Sequence, residues 1–214
     1  MSDQDRGWKI SWASEGDKNT KAPDSARTEQ RSQAAPAQTA EPQRPRLPSP
    51  TWIVGCGNMG GAIVEGWRAG GMDLSPGTAI RPSGTPVAGL RTVPTLAEAG
   101  DTPRLIILGF KPQKLDEIGP QLSAFVGPET VIVSLLAGVQ IASLRTRFAG
   151  AAAIVRATPN LPVAIRRGVI ALYSEDADEQ TRQSLSGLIG ALGYAPWMID
   201  EAKFAAVGAV RQQE

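Results

Sequence analysis

The stretch TWIVGCGNMG, residues 51–60, decides the fold. Its first four residues form an apolar run, which is typical of a strand buried on both faces of a parallel sheet. Glycines follow directly at positions 55, 57 and 60, and a helical pattern then continues to Gly70-Gly71, a plausible helix end. The pattern G-x-G-x-x-G between a strand and a helix predicts a turn that binds the diphosphate of a dinucleotide.

Each glycine of this turn has a physical role. We expect Gly55 to allow the tight turn, Gly57 to let the pyrophosphate approach the backbone, and Gly60 to let the helix pack against the strand. The phosphates are expected on the free N–H groups of the helix N-terminus. Cys56 has no neighbouring base or metal partner in the sequence, so we interpret it as a small space-filling residue and not as a nucleophile.

The residues after the second predicted strand, 78–80, indicate which dinucleotide is bound. An acidic residue there would hold a ribose 2′-hydroxyl group, whereas an arginine would accept a 2′-phosphate. The chain has Arg81 and Ser83 at this place, and no carboxylate between Ile80 and Leu96. We therefore predict NADP in preference to NAD. The alternative interpretation is that Arg81 is an ordinary solvated charge.

Strand and helix patterns alternate along the rest of the chain. Further strands are predicted at 105–108, 131–134, 152–156, 168–173 and 194–199, and helices at 114–122, 140–148 and 177–192. Such alternation predicts an α/β, Rossmann-like domain over residues 51–200 with a doubly wound, mostly parallel sheet. Ligands of these sheets lie beyond the carboxyl ends of the strands, where we expect residues 109–112, 135–138 and 158–162 to line one crevice.

Composition excludes several classes of function. The chain has 214 residues, 22 basic and 21 acidic side chains, no histidine and one cysteine. This balance predicts no nucleic-acid partner, and the lack of histidine excludes every histidine-dependent catalytic triad. One cysteine excludes a disulfide framework and argues against a metal site. No apolar run is long enough to span a membrane, and we expect a cytoplasmic location.

Residues 1–50 differ in composition from the rest of the chain. They hold 6 of the 17 prolines and few large apolar residues, so we predict a disordered extension. Its end, Glu41 to Pro50, is expected to be stiff and partly polyproline-like. The segment lacks the apolar region of a signal peptide. Trp8, Ile10 and Trp12 alternate as in a short docking motif, and the alternative is a plain tail or an upstream start codon.

Four motifs together resemble those of pyrroline-5-carboxylate reductases. They are GCGNMGGAI (Gly55 to Ile63), GFKPQ (Gly109 to Gln113), SLLAGV (Ser134 to Val139) and RATPNLP (Arg156 to Pro162). The likeness covers about residues 51–210 in the family's order and spacing. It implies a Rossmann domain that binds NAD(P)H, followed in the family by a helical domain that builds the dimer and the substrate site.

The resemblance also implies roles for particular residues. The cofactor would contact Gly55, Cys56, Gly57, Asn58, Met59 and Gly60, with Arg81, Ser83 and Thr95 on the adenosine side, and Gly109, Phe110, Lys111, Pro112 and Ala137 in the crevice. Asn160 and Lys111 would lie at the reacting end. Lys111 has the alternative of a solvated loop cation, and Asn160 that of shaping a turn. Gly109, Phe110 and Thr158 depart from the family's usual residues.

The largest departure from the family begins at Glu201. Residues 204–210 look like the approach to the family's S-G-S-G-P-A stretch, but the chain continues as Arg211-Gln212-Gln213-Glu214. We therefore expect residues 201–214 to be the start of a helical dimerisation domain that this chain lacks, through fragmentation, a frameshift or natural loss. The resemblance implies that full-length members of the family are homo-oligomers. For this chain a monomer is the alternative.

The resemblance implies NADPH-dependent reduction of 1-pyrroline-5-carboxylate to L-proline, impaired in this chain. A protonated cyclic imine accepts a hydride without further activation, so positioning supplies most of the catalysis, which suits a chain without histidine. The first alternative is a related hydroxyacid-type dehydrogenase. The second is a stand-alone NADP-binding or interaction module without catalysis, and the third is a degraded gene product that folds poorly.

Overall fold

The computed structural model describes the backbone of residues 44–210 and the side chains of residues 44–207. Two predictions, the disorder of the chain up to residue 43 and the docking motif at Trp8, Ile10 and Trp12, lie outside the described residues.

Strands and helices alternate in the described part of the chain. The strands are β1 (Thr51–Val54), β2 (Gly77–Ile80), β3 (Arg91–Val93), β4 (Leu105–Leu108), β5 (Val131–Ser134), β6 (Ala153–Thr158), β7 (Gly168–Val169), β8 (Ala171–Tyr173) and β9 (Gly193–Tyr194). The α-helices are α1 (Asn58–Ala69), α2 (Leu115–Ser123), α3 (Ile141–Arg147), α4 (Glu179–Gly190) and α5 (Glu201–Val210), and short 3₁₀ turns cover Pro112–Lys114 and Leu161–Ile165.

Seven strands form one sheet in the order β3-β2-β1-β4-β5-β6-β8. All neighbours in it are parallel except β8, which runs antiparallel to β6. The predicted doubly wound, mostly parallel α/β fold is confirmed. The chain builds outward from β1 in both directions, first to β2 and β3 and then to β4, β5 and β6. Ligand sites of such sheets lie where the order reverses, here beyond the carboxyl ends of β1 and β4.

The sheet is covered on both faces. Because successive strand residues point to opposite sides, Ile53 faces one layer while Trp52 and Val54 face the other. The first layer contains α1 and α4, represented by Trp67, which is fully buried and donates from its indole nitrogen to the Leu188 carbonyl oxygen at 2.8 Å. The second layer contains α2 and α3. These two layers explain why the strands read as continuous apolar runs.

The predicted strand 168–173 is wrong as a single element. The chain crosses from a separate two-stranded sheet, β7 with β9, to the large sheet at the buried Ile170. A Cβ at Gly193 would lie 2.1 Å from the Gly168 carbonyl oxygen, so only glycine allows these strands to approach. The predicted last strand, 194–199, is equally interrupted: only Gly193–Tyr194 is paired as a strand, and Trp197 forms an isolated bridge with Leu172.

The boundary predicted after residue 50 is too late for the folded part. Leu47 is buried in the first layer, and its backbone N–H donates to the Asp73 carbonyl oxygen at 3.1 Å. Arg46 pairs with the Asp73 carboxylate at 3.0 Å. One leucine at the right place gives this proline-rich lead-in a hydrophobic anchor that average composition does not reveal.

Candidate functional site

Two turns touch at the point where the strand order reverses. Gly55 follows β1 with a φ of +80°, and a Cβ there would lie 2.7 Å from the backbone nitrogen of Phe110. A Cβ at Gly109, the residue after β4, would lie 2.4 Å from the Gly55 carbonyl oxygen. Both glycines are therefore required by the same close contact.

The N-terminus of α1 is open towards this crevice. Gly57 caps the helix without any side-chain hydrogen bond, and its first turn contains no acidic residue. No atom lies within 4 Å of the position of a Cβ at Gly57, whereas a Cβ at Gly60 would meet the Gly55 carbonyl oxygen at 3.2 Å. Unused amides, the positive end of the helix dipole and an empty place beside Gly57 fit a dinucleotide diphosphate.

Two grooves flank the glycine turn. The first measures about 350 Å³ and is lined by Cys56, Gly57, Asn58, Gly61, Val64, Glu65, Arg81, Pro86, Val87 and Ala88. The second measures about 320 Å³ and is lined by Val54, Gly55, Ile80, Pro82, Pro94, Thr95, Leu96, Phe110, Lys114, Glu117, Ile118 and Gln121. Both lie at the carboxyl ends of β1 and β2.

Two of the three residues predicted on the adenosine side line these grooves. Arg81 lies in the first groove beside the turn, and Thr95 lies in the second, where its hydroxyl group donates to Glu98 at 2.7 Å. Ser83 is exposed and lines neither groove. Its hydroxyl oxygen accepts from the backbone and side chain of Thr85 at 3.3 and 3.0 Å. The structure thus brings Arg81 to the turn but engages Ser83 within its own loop.

Cys56 is buried beneath the glycine turn. Burial raises the pKa of its thiol, while the positive charge of Arg81 acts in the opposite direction and is the smaller effect. A thiol held protonated is a poor nucleophile. The environment of Cys56 is that of a packing residue, in line with the sequence interpretation.

The loops after β4 and β5 carry the other predicted cofactor residues. Lys111 is exposed and precedes the 3₁₀ turn that begins at Pro112, and no described ion pair includes it. Ala137 is exposed in the turn before α3, next to Gly138 with a φ of +74°. Phe110 is half-buried and packs against the second layer. Of these residues Phe110 lines the second groove, and the contact of Lys111 and Ala137 with a cofactor stays a prediction.

Asn160 performs a structural task. Its side-chain oxygen accepts from the backbone N–H of Val169 at 2.8 Å and so fastens the start of the small sheet. This observation supports the turn-shaping interpretation, and a role in contact with a ligand stays a prediction. The turn that follows, Leu161–Ile165, presses on α1: a Cβ at Gly66 would lie 2.2 Å from the Val163 carbonyl oxygen.

Sequence reasoning missed part of the site. Lys114, Glu117, Ile118 and Gln121 of the second groove recur at helical spacing, so one face of α2 lines it. This spacing was present in the sequence, but only the sheet order shows that the face looks onto β2. Pro86 to Ala88 carried no comparable signal.

Two negative findings concern the described residues. No helix among residues 44–210 is long and apolar enough to cross a membrane. Within the same part of the chain, no group of three histidine, cysteine, aspartate or glutamate side chains is placed to hold a metal ion.

Comparison with known proteins gives a consistent set of relatives. A pyrroline-5-carboxylate reductase of Pseudomonas aeruginosa is 32% identical over 165 residues, which cover 74% of this chain and 60% of that protein. The solved structure of a pyrroline-5-carboxylate reductase from Coxiella burnetii superposes with a TM-score of 0.67 at 25% identity, over 76% of this chain and 64% of the other.

A third comparison supports the fold. The crystal structure of a Plasmodium falciparum pyrroline carboxylate reductase with NADP bound superposes with a TM-score of 0.67 at 15% identity, over 76% of this chain and 63% of that one. No family model matches the chain. The chain spans about 60% of the length of the Pseudomonas relative.

Proposed function

Along the length that it shares with these relatives, this chain belongs to the pyrroline-5-carboxylate reductase family, and we propose that it binds NADP(H) for the reduction of 1-pyrroline-5-carboxylate to L-proline. The observation that carries the proposal is the open N-terminus of α1 beside Gly57, at the reversal of strand order. The loops that contain Lys111 and Asn160 follow β4 and β6 at the same end of the sheet.

The predicted preference for NADP rests on Arg81. Arg81 lines the groove that also contains Gly57 and Asn58, on the side where the adenosine ribose of a dinucleotide would lie. Planar, permanently charged guanidinium groups are well suited to phosphate oxygens. Glu65 also lines this groove, but it is paired with Arg68 at 2.8 Å. Its charge is therefore largely compensated.

When bound, NADPH supplies the hydride for the C=N bond of the protonated imine. The residues of this chain contribute position and electrostatics. Amides of the α1 N-terminus would hold the diphosphate, the exposed ammonium group of Lys111 would add positive charge at the carboxyl end of β4, and Phe110 would provide an apolar wall. We propose no acid or base among the described residues, because the imine is protonated in water.

We further propose that a polypeptide of these 214 residues turns over slowly or not at all. Leu161 and Ile165, beside Asn160, are 67% and 69% exposed, so water reaches this side of the crevice. Hydride transfer is favoured by a site from which water is excluded. The described residues provide no second wall there. This supports cofactor binding with weak catalysis, and equally a stand-alone NADP-binding module.

The test uses the full chain with NADPH. We expect backbone amide signals of Gly57 and Asn58 to shift in a heteronuclear NMR titration, while the amide of Gly187, in α4, does not move. The purified chain should oxidise little NADPH when 1-pyrroline-5-carboxylate is added. No shift at the turn would contradict the binding site, and rapid proline formation would contradict the weak-catalysis proposal. Faster oxidation of NADPH with a panel of 2-oxo acids than with 1-pyrroline-5-carboxylate would favour a hydroxyacid-type dehydrogenase instead.

A further inference from the structure

The first groove contains a carboxylate in addition to the arginine that is proposed to bind a phosphate. Glu65 and Arg81 both line this groove. Glu65 is the one acidic residue of α1, and it shares a helix face with Asn58 and Gly61, because residues three or four positions apart are neighbours on a helix. A carboxylate at this place would repel the 2′-phosphate of NADPH and attract the guanidinium group of Arg81.

Arg68 holds the carboxylate of Glu65 at two points. Its Nη2 atom donates to Oε1 of Glu65 at 2.8 Å, and its Nε atom donates to Oε2 at 3.2 Å. Such a fork of two parallel hydrogen bonds fixes the direction of a carboxylate as well as its position. The hydrogen bond from Arg68 also lowers the pKa of Glu65. Within the described part of the chain, Glu65 is thus paired with Arg68 and not with Arg81.

The position of Arg68 depends on α1 and on the loop between β2 and β3. Arg68 lies three residues beyond Glu65 in the last turn of the helix. A Cβ at Gly89 would lie 3.9 Å from Cδ of Arg68, so the aliphatic part of this side chain passes close to the loop. Residues 86–88 of the same loop line the groove, whereas Arg68 itself does not. Arg68 can therefore influence a ligand in the groove through Glu65.

We propose that Arg68 is a positioning residue for the choice between NADP(H) and NAD(H): it holds Glu65 away from Arg81 and so leaves the guanidinium group of Arg81 to the 2′-phosphate. With Arg68 present, the positive charge of Arg81 is not neutralised. Without Arg68, the carboxylate of Glu65 is free to pair with Arg81 and to repel the phosphate. This inference rests on the proposed function, and in particular on a 2′-phosphate beside Arg81.

The test measures the Kd of NADPH and of NADH by calorimetry on the full chain. For Arg68→Ala we expect the Kd of NADPH to rise about fivefold, because the freed carboxylate opposes the phosphate and competes for Arg81. The Kd of NADH, which lacks the 2′-phosphate, should change by less than about twofold. In the double variant Glu65→Gln/Arg68→Ala no carboxylate is left to oppose the phosphate, so the affinity for NADPH should return to that of the wild type.

Two control variants accompany this measurement. Arg68→Lys keeps the positive charge three residues from Glu65, so it should retain most of the affinity for NADPH. Arg104→Ala removes an arginine from another exposed pair with the same N–O distance of 2.8 Å, and Arg104 lines neither groove that flanks the glycine turn. It should leave the Kd of both nucleotides unchanged. Because Glu65 and Arg68 are exposed, the loss in Arg68→Ala should also become smaller as the salt concentration rises.

Three outcomes would overturn the inference and leave the proposed function intact. Unchanged preference for NADPH in Arg68→Ala would show no role for this residue. A double variant as weak as Arg68→Ala would show that Arg68 acts directly or structurally and not through Glu65. An equal loss in Arg104→Ala would show a general effect of net charge. A wild-type chain that binds neither nucleotide would instead contradict the proposed function, and this failure is distinguishable because it is seen without any variant.

Discussion

Arg81 is the residue on which the preference between the two dinucleotides depends. If it contacts a 2′-phosphate, Arg81→Ala should raise the Kd of NADPH about tenfold or more, since hydrogen bonds between charged groups contribute roughly 1.5–3 kcal/mol. The Kd of NADH should hardly change. Isothermal titration calorimetry of both nucleotides measures the difference.

Arg104→Ala serves as the control for this prediction, because Arg104 carries the same charge and pairs with Glu129 outside the crevice. Equal weakening of NADPH and NADH in Arg81→Ala would instead support the interpretation of Arg81 as a solvated charge.

Cys56 provides a prediction about pH. Burial raises its pKa in the folded chain, so above the ordinary thiol pKa of about 8.5 the unfolded chain loses a proton that the folded chain keeps. The protonated thiol therefore contributes its full share to the stability of the folded chain below that pH. This contribution declines as the pH rises through it. We expect urea unfolding of Cys56→Ser to show a weaker decline at alkaline pH than the wild type. An identical pH profile would contradict the assignment.

Single residues could be predicted where their role is local. Gly55, Gly57 and Gly60 could be predicted from a motif of six residues. In the structure a Cβ at Gly55 or Gly60 would lie close to other atoms, whereas the space beside Gly57 is empty. Gly66 was not predictable, because the atom that excludes a side chain there is the Val163 carbonyl oxygen, distant in the sequence. The contact roles of Lys111 and Asn160, and the cytoplasmic location, stay predictions.

A neighbouring backbone segment packs closely against α1 but not against α4, as one glycine in each helix shows. A Cβ at Gly66 of α1 would lie 2.2 Å from a carbonyl oxygen, whereas nothing lies within 4 Å of one at Gly187 of α4. We expect Gly66→Ala to lower the free energy of unfolding by about 2 kcal/mol or more through overpacking. Gly187→Ala should raise it by roughly 0.5–1 kcal/mol, the ordinary gain in helix propensity.

Chemical denaturation of the two variants checks this matched pair. Similar stability changes in both would mean that the turn Leu161–Ile165 does not press on α1 as described.

Secondary-structure elements could be predicted where a single property of the sequence determines them. Apolar runs predict the buried parallel strands β1, β4 and β5 because both faces of these strands are covered. Strand β3 has three residues and an exposed first position, too short for a pattern. The division between β7 and β8 depends on which partner each half meets, and a continuous apolar run contains no information about that.

The folded unit as a whole includes residues that precede the first strand. A chain that lacks residues 1–43 retains Leu47, whereas one that lacks residues 1–50 loses this buried side chain. We expect the shorter chain to be less stable than the longer by about 2–5 kcal/mol, the usual cost of truncating a buried leucine. Urea unfolding of both chains measures this, and Leu47→Ala in the full chain should reproduce most of the loss. Equal stability would show that the lead-in contributes nothing.

At this scale the sequence predicts the doubly wound sheet and the edge at which ligands bind, because both follow from alternation and one motif. It does not predict how the lead-in and α5 attach. Those attachments depend on single anchors, Leu47 and Glu201, whose partners come from remote parts of the chain.

At the floor of the crevice, Gly55 meets Gly109 and the N, Cα and Cβ atoms of Phe110, which leaves no space for a side chain at either glycine. A side chain at either glycine would strike the opposite turn, so neither position can vary alone. Differences in which nucleotide is bound must then come from the walls of the crevice, at Arg81, Thr95 and the exposed face of α2. Substituted side chains there extend into solvent and do not clash. Redesign of nucleotide preference should therefore leave the floor untouched and sample those walls.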